Sequence, residues 1–342
     1  MNVPSDYPEL KVPFKSPYEV VGWRIMNLAR YCFSFLPRFG FVRSPPRRPN
    51  GVSVIVRSCN DEWIEPSLRS IRDFADEIIV VDVSTDDTPM RVRRVAEEEG
   101  LNIKLIHMSI PLESLMGDTE TYVYHSNIGL RYAKYRWAVI WDPDFVAYTN
   151  GPNNIMNLKD ILLNLDPKIY YRVNVGFLYL DGDLFHIGPE GFRIRREVFA
   201  FTWSPRIKFY DAGRFEIIKF PLYYRRIIIP KIYAVHLVTV KNAKYILYRK
   251  YWTDWRENRD FQRFPTVQDY VRHRLKTDYG IESEQEGIKR AFMELASRLT
   301  KFEYLLKYCP EELKEEIKEP RYKILYDEDG RIIGRNDIGR IL

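Results

Sequence analysis

Asp142 and Asp144 stand one residue apart around Pro143, directly after the apolar run Ala138-Val139-Ile140-Trp141. A buried strand that ends this way aims two negative charges at one spot. Carboxylates that close repel and raise each other's pKa unless a cation sits between them. The pair is therefore a candidate cation site, with a strand-ending turn as the plainer alternative, since Asp and Pro both favour turns. Two further polar clusters end apolar runs upstream. Ser58-Cys59-Asn60 follows from the run 52–57 (VSVIVR), and Asp82 closes the run 77–82 (EIIVVD). For these residues helix capping or a loop role is the alternative duty.

The elements that must position these groups can be read along the chain. Residues 52–57 are short, apolar and β-branched, as a buried strand is. Pro66 suits the first turn of the helix that follows, with Leu68, Ile71 and Phe74 on its apolar face. Residues 77–82 form a second strand; Thr88 as cap and Pro89 open a helix that Gly100 ends. A third strand over 102–107, a helix over 119–133 and a fourth strand over 137–142 complete the alternation. Strands that are apolar on both faces and alternate with helices predict an α/β fold with a mainly parallel sheet covered by helices. Such sheets bind ligands outside the carboxyl ends of their strands. All three polar clusters lie at those ends.

Farther on, residues 169–180, 192–198 and 225–240 read as strands, and 245–319 reads as mostly helical. The tail KILYDEDGRIIGR places Asp329-Gly330 between alternating apolar residues and predicts a hairpin. Residues 1–50 are proline-rich at both ends and enclose VVGWRIMNLARYCFSFL. Val21, Ile25, Leu28, Cys32 and Leu36 share one helical face; Arg24, Asn27, Tyr31 and Ser34 take the other. This amphipathic helix, over residues 20–36, either docks on the body of the protein or lies on a membrane. In the second case Trp23, Arg30, Arg38 and Arg43 are its interfacial anchors.

Bulk composition narrows the partners. The chain has 342 residues, a net charge of +6 and an aromatic fraction of 15%, with 24 Tyr and 7 Trp. Positive charge favours anionic partners such as nucleotides, phosphates or anionic lipid. No zinc-finger spacing, RNA-recognition signature or sustained basic run supports nucleic acid. Cys32, Cys59 and Cys309 are too scattered for a disulfide framework or a metal cluster, which suits a reducing compartment. No run approaches the roughly 18 apolar residues of a membrane span, and residues 1–20 lack a signal-peptide core. The expectation is a cytoplasmic chain, with the cytoplasmic membrane face as a peripheral address.

Taken in order, these motifs resemble family 2 glycosyltransferases of the GT-A fold. The family's opening strand VSVVIPTYN is VSVIVRSCN here, and its IIVVDDGSTDDT is IIVVDVSTDDT. Its RNxGL helix is HSNIGL, its Asp-x-Asp motif is Asp142-Pro143-Asp144, and a later "G…F.RREVF" is GPEGFRIRREVF. The set spans residues 52 to about 200. Arg57 stands where the family often has proline, and one residue of the DDGS segment is missing.

The resemblance implies a Rossmann-like sheet with a helical C-terminal region. It divides the chain into an N-terminal arm (1–50), a nucleotide-sugar-binding half (51–145), an acceptor-binding half (146–244) and a C-terminal extension (245–342). It implies transfer of a sugar from a UDP- or GDP-sugar to a glycan or lipid-linked acceptor, with inversion. Mg²⁺ or Mn²⁺ would act as a Lewis acid toward the departing diphosphate. Asp144 maps to the metal ligand, Asp142 to the metal shell or ribose, and Asp82 to the contact with the base. Ser58 and Asn60 line the same rim, and His236 falls where some members place a histidine ligand. A lone histidine in a β-rich stretch is otherwise a core residue, a reading shared by His186. The family's Glu-Asp pair that supplies the catalytic base is missing, so Glu216, then Asp211, with Glu190 as a third, are the candidates.

Asp142–Val146 also fits the nucleophile loop of haloacid dehalogenase-like phosphatases. That loop normally ends the first strand, whereas three strand units precede this one. A nucleotidyltransferase would want a glycine-rich first loop, and RSCNDE at 57–62 has no glycine. The missing base pair keeps a non-enzyme alternative in play: a catalytically degenerate GT-A protein that binds glycans or partners.

Overall fold

An N-terminal helix, α1 (Pro17–Phe33), starts where Ser16 accepts a hydrogen bond from the Glu19 backbone and Pro17 occupies the first turn. In the computed structural model the described residues are 16–108, 119–189, 191–194, 198–212, 216–258, 260–303, 305 and 308–340. Four strands follow the helix: β1 (Val52–Ser58), β2 (Glu77–Asp82), β3 (Ile103–His107) and β4 (Trp137–Trp141). They pair in parallel in the order β3-β2-β1-β4. Helices α2 (Ile64–Ser70), α3 (Thr88–Glu99) and α4 (Thr119–Tyr132) make the crossovers. Asp87, one residue before the predicted Thr88, takes the cap position of α3, and Gly100 ends it in the left-handed conformation.

Burial on both faces explains the continuous apolar runs. Val54, Val56 and Val80 join Ile64, Leu68 and Val92 on one side, while Ile55, Ile79 and Val81 meet Leu130 of α4 on the other. The glycine of HSNIGL has a packing cause. A Cβ on Gly129 would lie 2.4 Å from Ile55 Cγ2, and Ile55 is fully buried and has no room to turn. Gly129→Ala should therefore cost about 1–2 kcal/mol net, after the roughly 1 kcal/mol that alanine gains in a helix. A lower urea midpoint at unchanged m would show it; an unchanged midpoint would mean α4 lifts off β1 freely.

The sheet grows to nine strands by adding β5 (Phe145–Ala147), β6 (Tyr170–Leu180), β8 (Phe192–Ile194), β9 (Ala200–Thr202) and β12 (Tyr224–Leu237). Beyond β4 the order is β9-β6-β12-β5, with β8 beside β6. Between β5 and β6, α5 (Ile155–Asn164) packs on the core. The short β7 (His186–Ile187) pairs with β13 (Thr300–Lys301), and β10 (Phe209–Asp211) forms a hairpin with β11 (Glu216–Ile218). The architecture is α/β and Rossmann-like: six of the nine strands share one direction, β5, β8 and β9 run against them, and helices flank the sheet.

Helices α6 (Ala243–Glu257), α7 (Val267–Tyr279) and α8 (Glu284–Ala296) share a second core around Leu247, Trp255, Val271 and Phe292. After the short α9 (Lys314–Lys318), the predicted hairpin is β14 (Ile324–Tyr326) with β15 (Ile332–Arg335), joined by β16 (Gly339–Arg340). Arg335 is fully buried and pairs with Asp337. It donates to the carbonyls of Gly182 and Lys241, both at 2.8 Å. The C-terminal hairpin thereby fixes the loop that carries Lys241.

Helix α1 does dock, but by its polar face. Arg30 is buried and donates to the carbonyls of Pro221, Phe220 and Tyr224. Arg226 lies over the Trp23 ring and Arg225 over the Tyr31 ring. The start of β12 offers carbonyls and guanidinium groups, so it selects the helix face that can meet them. Of the apolar stripe, which could either pack inward or lie on a membrane, Val21, Ile25 and Leu28 face outward.

Candidate active site

Register places the strand ends side by side. Ser58 is opposite Asp82, Asp82 is opposite His107, and Val56 is opposite Trp141, one residue before Asp142. A turn closed by the Phe145 amide on the Asp142 carbonyl then reverses the chain into β5. Phe145 pairs with His236 of β12, and this brings Asp144 against that strand.

Two charged clusters result. In the first, the Lys241 ammonium lies 2.9 Å from Asp144 Oδ2 and 3.7 Å from Asp61. His236 Nε2 lies 3.4 Å from Asp144 Oδ1. Asp61 also accepts from the Cys59 amide at 2.9 Å. Burial works against ionisation of Asp144, yet Lys241 and His236 outweigh it and hold the carboxyl well below the usual range. For Asp61 burial dominates, with Lys241 opposing it and Asp144 and Asp142 adding to it, and the carboxyl is pushed up to about 7. Lys241 loses by burial but gains more from Asp144, Tyr245 and Asp61, so it stays charged.

The second cluster centres on Arg57. Its guanidinium contacts Glu216 directly, lies 3.6 Å from Asp142 and donates to Ser126 Oγ at 3.2 Å. Side chains 159 positions apart, Arg57 and Glu216, thus meet beside the Asp-x-Asp motif. The neighbouring His125 is pulled down to about 4 by burial and by Arg57. Asp211 sits across the β10–β11 ladder from Glu216 and is exposed.

The remaining candidates divide. Asp82 has no exposed surface. Its carboxylate accepts from Ser84 Oγ at 2.6 Å and from the Ser84 amide at 3.2 Å, and lies 2.7 Å from His107 Nδ1. For this carboxylate to touch a base, one of those partners must give way. Asn60, in the left-handed region at φ 52°, brackets two loops. Its side chain accepts from the Thr85 amide at 2.8 Å and donates to Thr85 Oγ1 at 3.2 Å. Ser58 Oγ is buried with no partner among the described residues. His186 is a core residue held between Asp183 and Tyr326. Glu190 lies outside the described residues.

Sequence reasoning missed Asp61 and Lys241. Asp61 stood in the RSCNDE loop and was given no role there, and nothing in the sequence marks Lys241. Arg57 was visible as a charge ending an apolar strand, and that signal could have placed it here.

No family model matches this sequence, and no curated protein matches it. Among solved structures, one of S. aureus TarS is similar at 16% identity and a TM-score of 0.39, covering 83% of this chain and 60% of that one. This chain thus spans 60% of that protein's length. A second, S. aureus TarS 1–349, has 14% identity and a TM-score of 0.36, covering 85% and 98% of the two chains. The 4-diphosphocytidyl-2C-methyl-D-erythritol synthase of Anaerococcus prevotii follows at 14% identity and a TM-score of 0.25, covering 72% and 96%.

Proposed function

We propose that this chain is a nucleotide-sugar-dependent glycosyltransferase that transfers to a glycan or lipid-linked acceptor with inversion. The observation that carries the reading is the pair of charged clusters at the strand-end rim, Asp144 with His236 and Lys241, and Asp142 with Glu216 and Arg57, linked in the chain through Pro143.

The residues present fit a divalent cation. Asp144 Oδ1 and His236 Nε2, 3.4 Å apart, are the oxygen and nitrogen atoms that would hold it. Among the described residues no group of three or more His, Cys, Asp and Glu could hold a metal alone. Mg²⁺ and Mn²⁺ commonly take few protein ligands and complete their shell with phosphate oxygens and water. Charge agrees. The carboxylates Asp61, Asp142, Asp144 and Glu216 face the cations Arg57 and Lys241, and Asp61 keeps a proton up to about 7. When bound, the metal would stabilise the charge that grows on the departing diphosphate.

The chain's own residues do the rest. Lys241 holds Asp144 with Oδ1 turned to His236. Arg57 is within reach of both Asp142 and Glu216, so donor phosphates compete with Glu216 for its guanidinium. A Glu216 released in this way can accept the proton of the acceptor hydroxyl. Glu216→Gln should lower kcat by about 10²–10⁴-fold while donor KM stays at or below the wild-type value, since Arg57 is then free for the phosphates. If Asp211→Asn has that effect and Glu216→Gln does not, the two roles are exchanged.

The experiment that tests the reading is release of nucleotide from UDP-, GDP- and dTDP-sugars with added Mn²⁺. Ion pairing of the carboxylates by protein cations favours a second reading, a degenerate chain that binds glycans or partners. That reading predicts no nucleotide release from any donor.

A further inference from the structure

The outward face of α1 is the largest concentration of exposed apolar side chains in the described protein. Nine of its sixteen exposed large hydrophobic residues fall between Tyr18 and Phe41. On the helix, Tyr18, Val21, Ile25 and Leu28 are 88%, 55%, 64% and 65% exposed, and in the loop after it Phe39 and Phe41 are 71% and 78% exposed. The spacing of the first four puts them on one stripe, opposite the face that Arg30 and Ser34 bury. Single exposed hydrophobic residues are ordinary, whereas a whole helical stripe of them, followed closely in the chain by two exposed phenylalanines, marks a contact.

Charge identifies the partner. Residues 16–48 contain six arginines and one acidic residue, Glu19. Of these, Arg30, Arg38 and Arg48 are engaged by the body of the protein, and Arg24, Arg43 and Arg47 are exposed in the same segment. A second copy docked through the same face would set these arginines against their own counterparts, which costs affinity. An anionic bilayer presents the opposite charge and accepts an apolar stripe below its headgroups. Among the described residues no helix is long and apolar enough to cross a membrane, so α1 would lie in the interface.

We propose that the outer face of α1 and the loop through Phe41 is a docking surface for an anionic lipid bilayer. Depth comes from Ile25, Leu28, Phe39 and Phe41, and the arginines supply attraction to the headgroups. The inference does not rest on the glycosyltransferase reading, because it invokes no residue of the active site.

The test is co-sedimentation of the full chain with vesicles of phosphatidylcholine containing about one-third phosphatidylglycerol, against pure phosphatidylcholine. Binding to the anionic vesicles should be strong and should fall as salt rises from about 0.05 M to about 0.5 M. Ile25→Glu with Phe41→Glu should weaken it by more than about tenfold. The combination of Arg24→Gln, Arg43→Gln and Arg47→Gln should weaken it by about fivefold per arginine on anionic vesicles only. Both variants should keep the wild-type circular dichroism and Tm, since the altered side chains are exposed. Absence of vesicle binding by the wild-type chain overturns the proposal, as does equal binding by the Ile25→Glu, Phe41→Glu variant. A dimer in sedimentation equilibrium that this variant dissolves, without vesicle binding, assigns the face to a second copy instead. Nucleotide release from soluble donors is measured in parallel, so loss of lipid binding with intact release separates the two readings.

Discussion

Asp144→Asn should reduce turnover by about 10³-fold or more, because it removes the charge that a cation at the Asp144–His236 pair would need. The amide keeps the shape of the carboxyl and can still accept one hydrogen bond from Lys241. Donor affinity should fall as well, since phosphate binding and cation binding share the site. Calorimetric titration of the protein with Mn²⁺ and UDP gives a readout independent of turnover. Wild-type turnover in the variant, or full activity of the wild type in excess chelator, would remove Asp144 from the mechanism. Two adjacent carboxylates would be expected to relieve repulsion when one is neutralised, but the structure corrects that expectation. Asp144 faces Lys241 and Asp142 faces Arg57, so each carboxylate already has a protein cation. Asp144→Asn should therefore lower Tm somewhat rather than raise it.

Lys241→Met is expected to have the largest effect on stability. The ammonium is almost fully buried between Asp144 and Asp61, and removing one partner of a buried ion pair costs about 3–5 kcal/mol. A chain of this size should then lose roughly 10 °C in Tm. The pH dependence has a definite sign. A carboxyl whose pKa is raised by folding binds its proton more tightly in the native state, so stability falls as pH rises between the two values. Asp61 is already raised to about 7 from about 4 when unfolded, and loss of Lys241 widens that window. The Tm deficit of Lys241→Met should accordingly be larger near pH 8 than near pH 5. Adding Asp144→Asn should restore part of the loss, a coupling of about 1–3 kcal/mol in a double-mutant cycle. Simple addition of the two losses would show that the pair is not coupled.

The parallel half of the fold was legible because its strands are apolar on both faces, which leaves only one architecture for runs such as VSVIVR and EIIVVD. The Asp-x-Asp motif was legible for the same reason: charge at the end of a buried run has few explanations. Pairings between distant segments were not. Lys241 and Asp61 are 180 positions apart and meet only because the loop after β12 packs on the segment after β1. Nothing in local spacing encodes that. Glu216 could be nominated as a carboxylate in the right segment, but its attachment to Arg57 depends on the β10–β11 hairpin folding over α4. The stripe on α1 was legible and its direction stayed open between the body of the protein and a membrane, because direction is set by the surface that receives the helix. That surface is the Arg225-Arg226 end of β12, and it takes the polar face.

Strand β12 meets α1 at one end and carries His236 near the other. Ten residues separate Arg226 from His236, which at the rise of a strand is roughly 30 Å. With α1 resting on lipid, that strand becomes a stand-off between the place where the protein is tethered and the place where a bond would form. An acceptor held in the bilayer by one end would have to cover that distance to present its growing tip. The acceptor length required is set by how much of that separation lies along the bilayer normal: a strand standing upright asks for a long glycan, and a strand lying flat does not.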